Sequence, residues 1–213
     1  MNLLHRPPFL LLLLLWGFAF SCANDEIDGL PKVALLPLGG VDDALIEAVV
    51  KGAEGTYRLK IVVLKNEDLP PEAYYKPRKR WRADKLLAWL ETRPELAEQG
   101  YVKIVGLTEK DISTTKGDIE DWGVFGLGYL PGKACIVSTF RLGAKAEPVE
   151  AERIKRERLV KVIIHEIGHN FALDHCPQAR CTMQDAMGSI LTVDRWNGFC
   201  GKCTAALGTR LRN

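Results

Sequence analysis

Three of the four histidines in this 213-residue chain fall within eleven consecutive residues, His165-Glu166-Ile167-Gly168-His169-Asn170-Phe171-Ala172-Leu173-Asp174-His175. Residues four apart on a helix stand one above the other on the same face, so His165 and His169 can each turn one ring nitrogen to a single ion. His175 cannot join them from a continuing helix. It would lie about 9 Å further along the axis and about 120° off the face. The helix is therefore expected to end between Asn170 and Leu173, and the chain to turn back. Three neutral imidazoles would then leave a fourth position of a zinc ion open to water, the arrangement of a catalytic site, with Glu166 beside His165 as general base. The bland alternative is a group of surface or hydrogen-bonded histidines at a helix end.

The first 21 residues read as a signal peptide to be excluded from the fold. Phe9 to Phe20 carries no charge, and at twelve residues it is short of the ~20 needed to span a bilayer. Ala19 and Ser21 place small residues three and one before Cys22. Cys22 is either a lipid attachment point or a new N-terminal residue, so the chain is expected to be exported, and either secreted or lipid-anchored at the cell envelope. Residues 22–30 read as a polar tether, and 31–213 as one domain. Loss of Arg6 leaves 28 of the 29 basic residues against 27 acids, which gives no argument for nucleic acid. The basic run Lys76 to Arg82 reads as a solvated helix start.

Along the domain, the apolar runs predict strands at 33–38, 57–64 and 101–107, and helices at 42–53 and 80–92. Residues 108–122 read as a long connection. Residues 124–130 and 133–142 read as a hairpin turning at Pro131-Gly132. A helix over 148–171 follows, opened by Pro148, and then a weakly periodic tail with four cysteines. The sum is an α/β sandwich.

The tail holds Cys176, Cys181, Cys200 and Cys203, two close pairs that suit a closed structural zinc site of four thiolates. Two disulfides compete with it, favoured by an oxidising compartment. The Cys200-x-x-Cys203 pair is poorly placed for a thioredoxin-like redox motif, and Cys135, within an apolar strand, reads as an inert thiol.

The whole pattern is His165-Glu-x-x-His169-x-x-Ala172-x-x-His175-Cys176, then Cys181-x-Met183, then Cys200-x-x-Cys203. With Val137 to Leu142 upstream, it resembles the archaemetzincins, a branch of the metzincin zinc metallopeptidases. The resemblance implies a metzincin-like twisted mixed sheet, an active-site helix and a cysteine-bound zinc subdomain at the C-terminus. It implies two zinc ions, one catalytic on His165, His169 and His175 and one structural on the four cysteines. It also implies a methionine turn at Met183, with Met187 as a substitute, and a peptidase or aminopeptidase activity on peptides. Substrates would lie along an edge strand, for which the 124–142 hairpin is the candidate. A monomer is expected. The chain departs from the metzincin pattern at Ala172, where Gly usually supplies a positive φ. The strain is about 1–2 kcal/mol, small beside the binding energy of a zinc ion. Asn170 or Asp174 could instead take the turn. A catalytically weak or inactive zinc-binding relative is the alternative this departure keeps open.

Overall fold

The computed structural model describes residues 29–210. The expected signal peptide, Cys22 and most of the tether lie outside the described residues. The centre of the domain is a five-stranded sheet in the order β2-β1-β5-β9-β8. Its strands are β1 (Lys32–Leu38), β2 (Lys60–Val63), β5 (Lys103–Thr108), β8 (Gly126–Gly128) and β9 (Ala134–Ser138). All neighbours are parallel except β8, which runs antiparallel to β9 and forms one edge. The sheet is mixed, as the resemblance implies.

Both faces of this sheet are covered, which is why its central strands read as unbroken apolar runs rather than as alternating ones. Val33 and Leu35 of β1 and Val105 and Leu107 of β5 face one cluster, shared with α1 (Asp43–Thr56) and α4 (Ala151–Asn170). Ala34, Leu36 and Ile104 face the other, shared with Leu86, Leu87 and Leu90 of α2 (Ala83–Glu91). Leu159, Val162, Ile163 and Ile167 seat α4 on the sheet, each contributing about 1.5–3 kcal/mol of apolar burial. That face of α4 is fixed before any polar group on it is considered. A short helix α3 (Glu95–Glu98) leads into β5.

Several sequence expectations are corrected. Residues 108–122 are not a bare connection, because Ile112–Lys116 (β6) and Ile119–Gly123 (β7) form an antiparallel hairpin turning at Gly117, whose φ is +56°. Together with β3 (Tyr74–Tyr75) and β4 (Arg80–Arg82) they make a second sheet, in the order β3-β4-β6-β7. Only Ile112 and Ser113 of the hairpin are buried, so no apolar alternation marks it. The basic run is a 3-10 turn at Lys76–Arg78 followed by β4, and α2 begins only at Ala83. Its arginines are engaged rather than solvated: Arg80 pairs with Asp111 and Asp121, and Arg82, 8% exposed, donates to the Glu120 carbonyl and to Thr115 Oγ1. The strand expected from Tyr57 starts at Lys60, because Tyr57 still caps α1 through its backbone amide on the Ala53 carbonyl. The tail contains two short helices, α5 (Ile190–Arg195) and α6 (Gly201–Arg210). Among the described residues, no helix is long and apolar enough to cross a membrane.

Candidate metal centre and cleft

Helix α4 ends at Asn170 in a turn with two defined hydrogen bonds. The Leu173 amide donates to the Gly168 carbonyl at 2.9 Å, and the Ala172 amide to the His169 carbonyl at 2.8 Å. Between them Ala172 adopts the left-handed conformation, φ +63°. This is a Schellman cap, and the packing of Leu173 towards Gly168 is the apolar contact that accompanies it. Ala172 therefore takes the strained position itself, rather than passing it to Asn170 or Asp174.

The turn sends the chain back along the helix, and the three histidines meet. His169 Nε2 lies 3.0 Å from His165 Nε2, and the His175 ring centroid is 4.8 Å from that of His169 and 5.5 Å from that of His165. One ligand atom from each ring lies within 4.8 Å of the others. The first two rings are buried and His175 is exposed. His165 Nδ1 donates to the Thr182 carbonyl at 2.7 Å, and His169 Nδ1 to the Leu173 carbonyl at 2.8 Å. With both Nδ1 protons so engaged, the two Nε2 atoms present bare lone pairs to one another. Burial and the neighbouring His169 ring bring His165 down to about 3, and burial lowers His169. A cation between the rings relieves that repulsion, and two Zn–N bonds in a tetrahedron span about 3.3 Å, close to what is found.

Trp196 stacks flat on His165, centroids 4.8 Å apart and planes 3° from parallel. Nothing in the sequence singled it out, since it lies far from the histidines and a tryptophan is ordinarily core. Met183 lies fully buried beneath α4, against Gly168, while Met187 is 73% exposed on the cleft. Of the two, Met183 is the one that packs under α4, at Gly168.

Glu166 is buried between α4 and the edge strand β8. A Cβ added to Gly126 would lie 2.7 Å from its Oε1, and one added to Gly128 would lie 3.2 Å from its Oε2. The two glycines make room for the carboxylate, and Gly126-x-Gly128 is the only trace of this in the sequence. Burial pushes the Glu166 carboxyl up to about 8, and a cation bound by the histidines would oppose that shift. The three histidines and Glu166 line a cleft of about 400 Å³. Its upper wall runs from Trp122 to Leu130, and its lower wall includes Asp185, Met187 and Gly188.

The four tail cysteines form a second cluster, with ligand atoms within 4.8 Å of one another. Cys176 Sγ is 3.8 Å from Cys200 Sγ, and Cys181 Sγ is 3.7 Å from Cys203 Sγ. No pair is bonded. A tetrahedron of Zn–S bonds about 2.3 Å long has edges of about 3.8 Å, so the sulfur spacing fits that ion. The Cys200 amide donates to Cys181 Sγ at 3.4 Å. Hydrogen bonds led by the Cys203 amide bring the Cys200 thiol down to about 7, towards the thiolate a metal needs. Cys135 is fully buried, and burial raises its thiol well above the usual range, in keeping with an inert role.

Known proteins resemble this chain throughout the described region. The model of Peptidase family M54 matches residues 47–209. The archaemetzincin of Methanopyrus kandleri is 35% identical over 149 residues, covering 70% of this chain and 77% of its own. That of Halobacterium salinarum is 29% identical over 177 residues, covering 81% and 96%. The crystal structure of the Methanopyrus kandleri archaemetzincin superposes with a TM-score of 0.71 at 30% identity, over 86% of this chain and 96% of that one. A zinc-dependent peptidase from Methanocorpusculum labreanum superposes with a TM-score of 0.67 at 25% identity, over 82% and 99%. With matches of this extent, the chain belongs to peptidase family M54, the archaemetzincins, and is a zinc metallopeptidase of the metzincin type.

Proposed function

We propose that the chain hydrolyses peptide bonds at the His165, His169 and His175 cluster, with Glu166 as general base. The observation that carries this reading is the placing of a buried carboxylate beside two histidines whose Nδ1 protons are already engaged, so that both Nε2 lone pairs are free for one ion. His165, His169 and His175 would hold a zinc ion there, which would supply Lewis-acid polarisation of the peptide carbonyl and a water of pKa lowered towards about 7. Glu166 takes the proton of the attacking water and passes it to the leaving amine. The Thr182 and Leu173 carbonyls fix the tautomer and tilt of the first two rings. The main chain of β8, unpaired on its outer side, hydrogen-bonds an extended peptide across Gly126 to Gly128. The four cysteines hold a second, structural zinc that ties α6 to the exit of α4. Export is proposed on the composition of residues 1–21 alone.

Glu166→Gln tests the mechanism. The variant should keep about two zinc ions per chain, one on the three histidines and one on the four cysteines, and lose hydrolysis of a peptide library. Equal residual activity in both proteins would remove Glu166 from the chemistry, and a chain purified with no zinc would remove the reading altogether.

A further inference from the structure

Building on the hydrolytic reading of the cleft, we infer that Trp122 closes one end of it, so that only bonds near a chain terminus reach Glu166. The Trp122 indole leans from the upper wall onto Gly188 of the lower wall. A Cβ added to Gly188 would stand 3.0 Å from Trp122 Cζ2, 3.6 Å from Cε2 and 3.8 Å from Nε1. Gly188 has φ +73° and follows Met187 at φ +50°, a turn that presents bare backbone to the ring. The two walls therefore meet at this point. At the other end of the upper wall Leu130 is 45% exposed.

The closure is fixed rather than hinged. Trp122 sits opposite Thr114 in the β6–β7 hairpin. Its neighbour Asp121 is held by Arg80 at 2.7 Å and by Arg78 at 3.2 Å. Arg82 binds the Glu120 carbonyl and Thr115 Oγ1, both at 2.7 Å. At the root of the hairpin, Asp111 accepts from Arg141 at 2.8 and 2.9 Å and pairs with Arg80 at 2.7 Å. The Lys116 ammonium covers the Trp122 ring at 5.3 Å. The hairpin that carries the tryptophan is thus tied at several points, and the ring itself is covered by Lys116.

The span from the reacting centre to this stop is short. Gly126, which touches Glu166, is four residues from Trp122, at most about 13 Å of extended chain, and the chain bends at Phe125 between them, so no more than about four substrate residues fit before the stop. Lys116, on the Trp122 ring, and Asp185, whose Oδ1 accepts from the Met187 amide at 2.7 Å, are charged groups on the cleft. One suits a terminal carboxylate and the other a terminal amine. The terminus that is trimmed reports the direction in which the peptide lies along β8.

The test compares a linear peptide of about twelve residues, three times the reach of the closed end, with the same sequence joined head to tail. The native protein should cut the linear form only within about four residues of one end and leave the cyclic form intact. In Trp122→Ala the ratio of internal to terminal cleavage should rise about tenfold or more. In Trp122→Phe, a smaller loss of bulk, it should rise less. Cleavage of the cycle, or at the midpoint of the linear peptide, by the native protein would overturn the inference. The Glu166→Gln variant separates this from the chemistry through binding alone. The linear peptide should bind at least about tenfold more tightly than the cycle, and equal binding would overturn the closed end whether or not any peptide is hydrolysed.

Discussion

The sulfur of Met183 occupies the space a side chain on Gly168 would need: a Cβ there would lie 2.6 Å from Sδ and 3.3 Å from Cε. Met183 is fully buried, so the thioether has nowhere open to move. Gly168→Ala should therefore destabilise the fold by about 1–3 kcal/mol through overpacking. For a chain of this size that lowers Tm by about 2–4 °C per kcal/mol. Met183→Ala in the same molecule should recover part of the loss, a coupling expected only of residues in contact. Additive losses in thermal melts would show that the two do not compete for one space.

Asn170 connects the metal-side helix end to the edge strand. Its Nδ2 donates to the Tyr129 carbonyl at 3.0 Å and the Ala134 carbonyl at 2.8 Å, spanning the turn between β8 and β9. Asn170→Asp keeps the shape but aims an acceptor at two carbonyls, at a cost of about 2–4 kcal/mol. Asn170→Leu leaves the Tyr129 carbonyl unpaired and the Ala134 carbonyl with only the Tyr129 amide, at 3.3 Å. If β8 pairs with substrate, either change should raise KM for peptides more than it lowers kcat, with zinc content kept. A loss confined to kcat would detach Asn170 from substrate alignment.

What was legible in the sequence is what helix geometry makes local. His165, Glu166 and His169 share one turn of α4, so their meeting follows from spacing, and the need for a turn before His175 follows from the same arithmetic. What was not legible comes from across the fold. Trp196 reaches His165 from 31 residues away, and Gly126 and Gly128 matter only because α4 lies under β8. The β6–β7 hairpin escaped notice because its exposed strands carry Thr, Lys, Glu and Asp on both faces, leaving no period-2 signal to read. Arg80–Arg82 reads as helix by the periodicity of the residues after it, yet pairing with Tyr74 and Ile112 makes it a strand.

The four tail sulfurs separate zinc from disulfides by a simple titration. If thiolates hold an ion, a chelator alone should release the metal and expose four reactive thiols without any reductant. Disulfides would demand a reductant first and would release no metal. Chelation should also loosen α6, because Cys200 and Cys203 fix its start. A chain whose thiol count does not change on chelation would rule out the four-cysteine zinc.

Arg93 gives the acid end of the stability profile one identifiable contributor. It pairs with Glu67 at 2.7 Å and Glu95 at 2.6 Å. The Arg93 guanidinium, through its hydrogen bond, holds the Glu95 carboxyl below its ordinary value of 4.5. A depressed carboxyl binds fewer protons when folded, so its contribution is present above pH 4.5 and is lost as pH falls through the depressed value. Arg93→Met should lower stability near neutrality and flatten its decline in acid. Denaturant melts of both proteins across that range check this, and parallel curves would show no linkage.

Ala172 carries a conformation that favours glycine, and it sits between the second and third histidines. Relief of about 1–2 kcal/mol of left-handed strain on Ala172→Gly is partly offset by the roughly 0.4–1 kcal/mol that the freer unfolded chain gains. The net effect on stability should be small and favourable. The Schellman bonds from Ala172 and Leu173 use only backbone amides, so the return of His175 survives the change. Zinc affinity should therefore hold or rise, measured by competition with a chelator of known strength. A marked loss of zinc in the glycine variant would mean that the methyl group of Ala172 itself steadies the turn, and that left-handed strain is not what this position contributes.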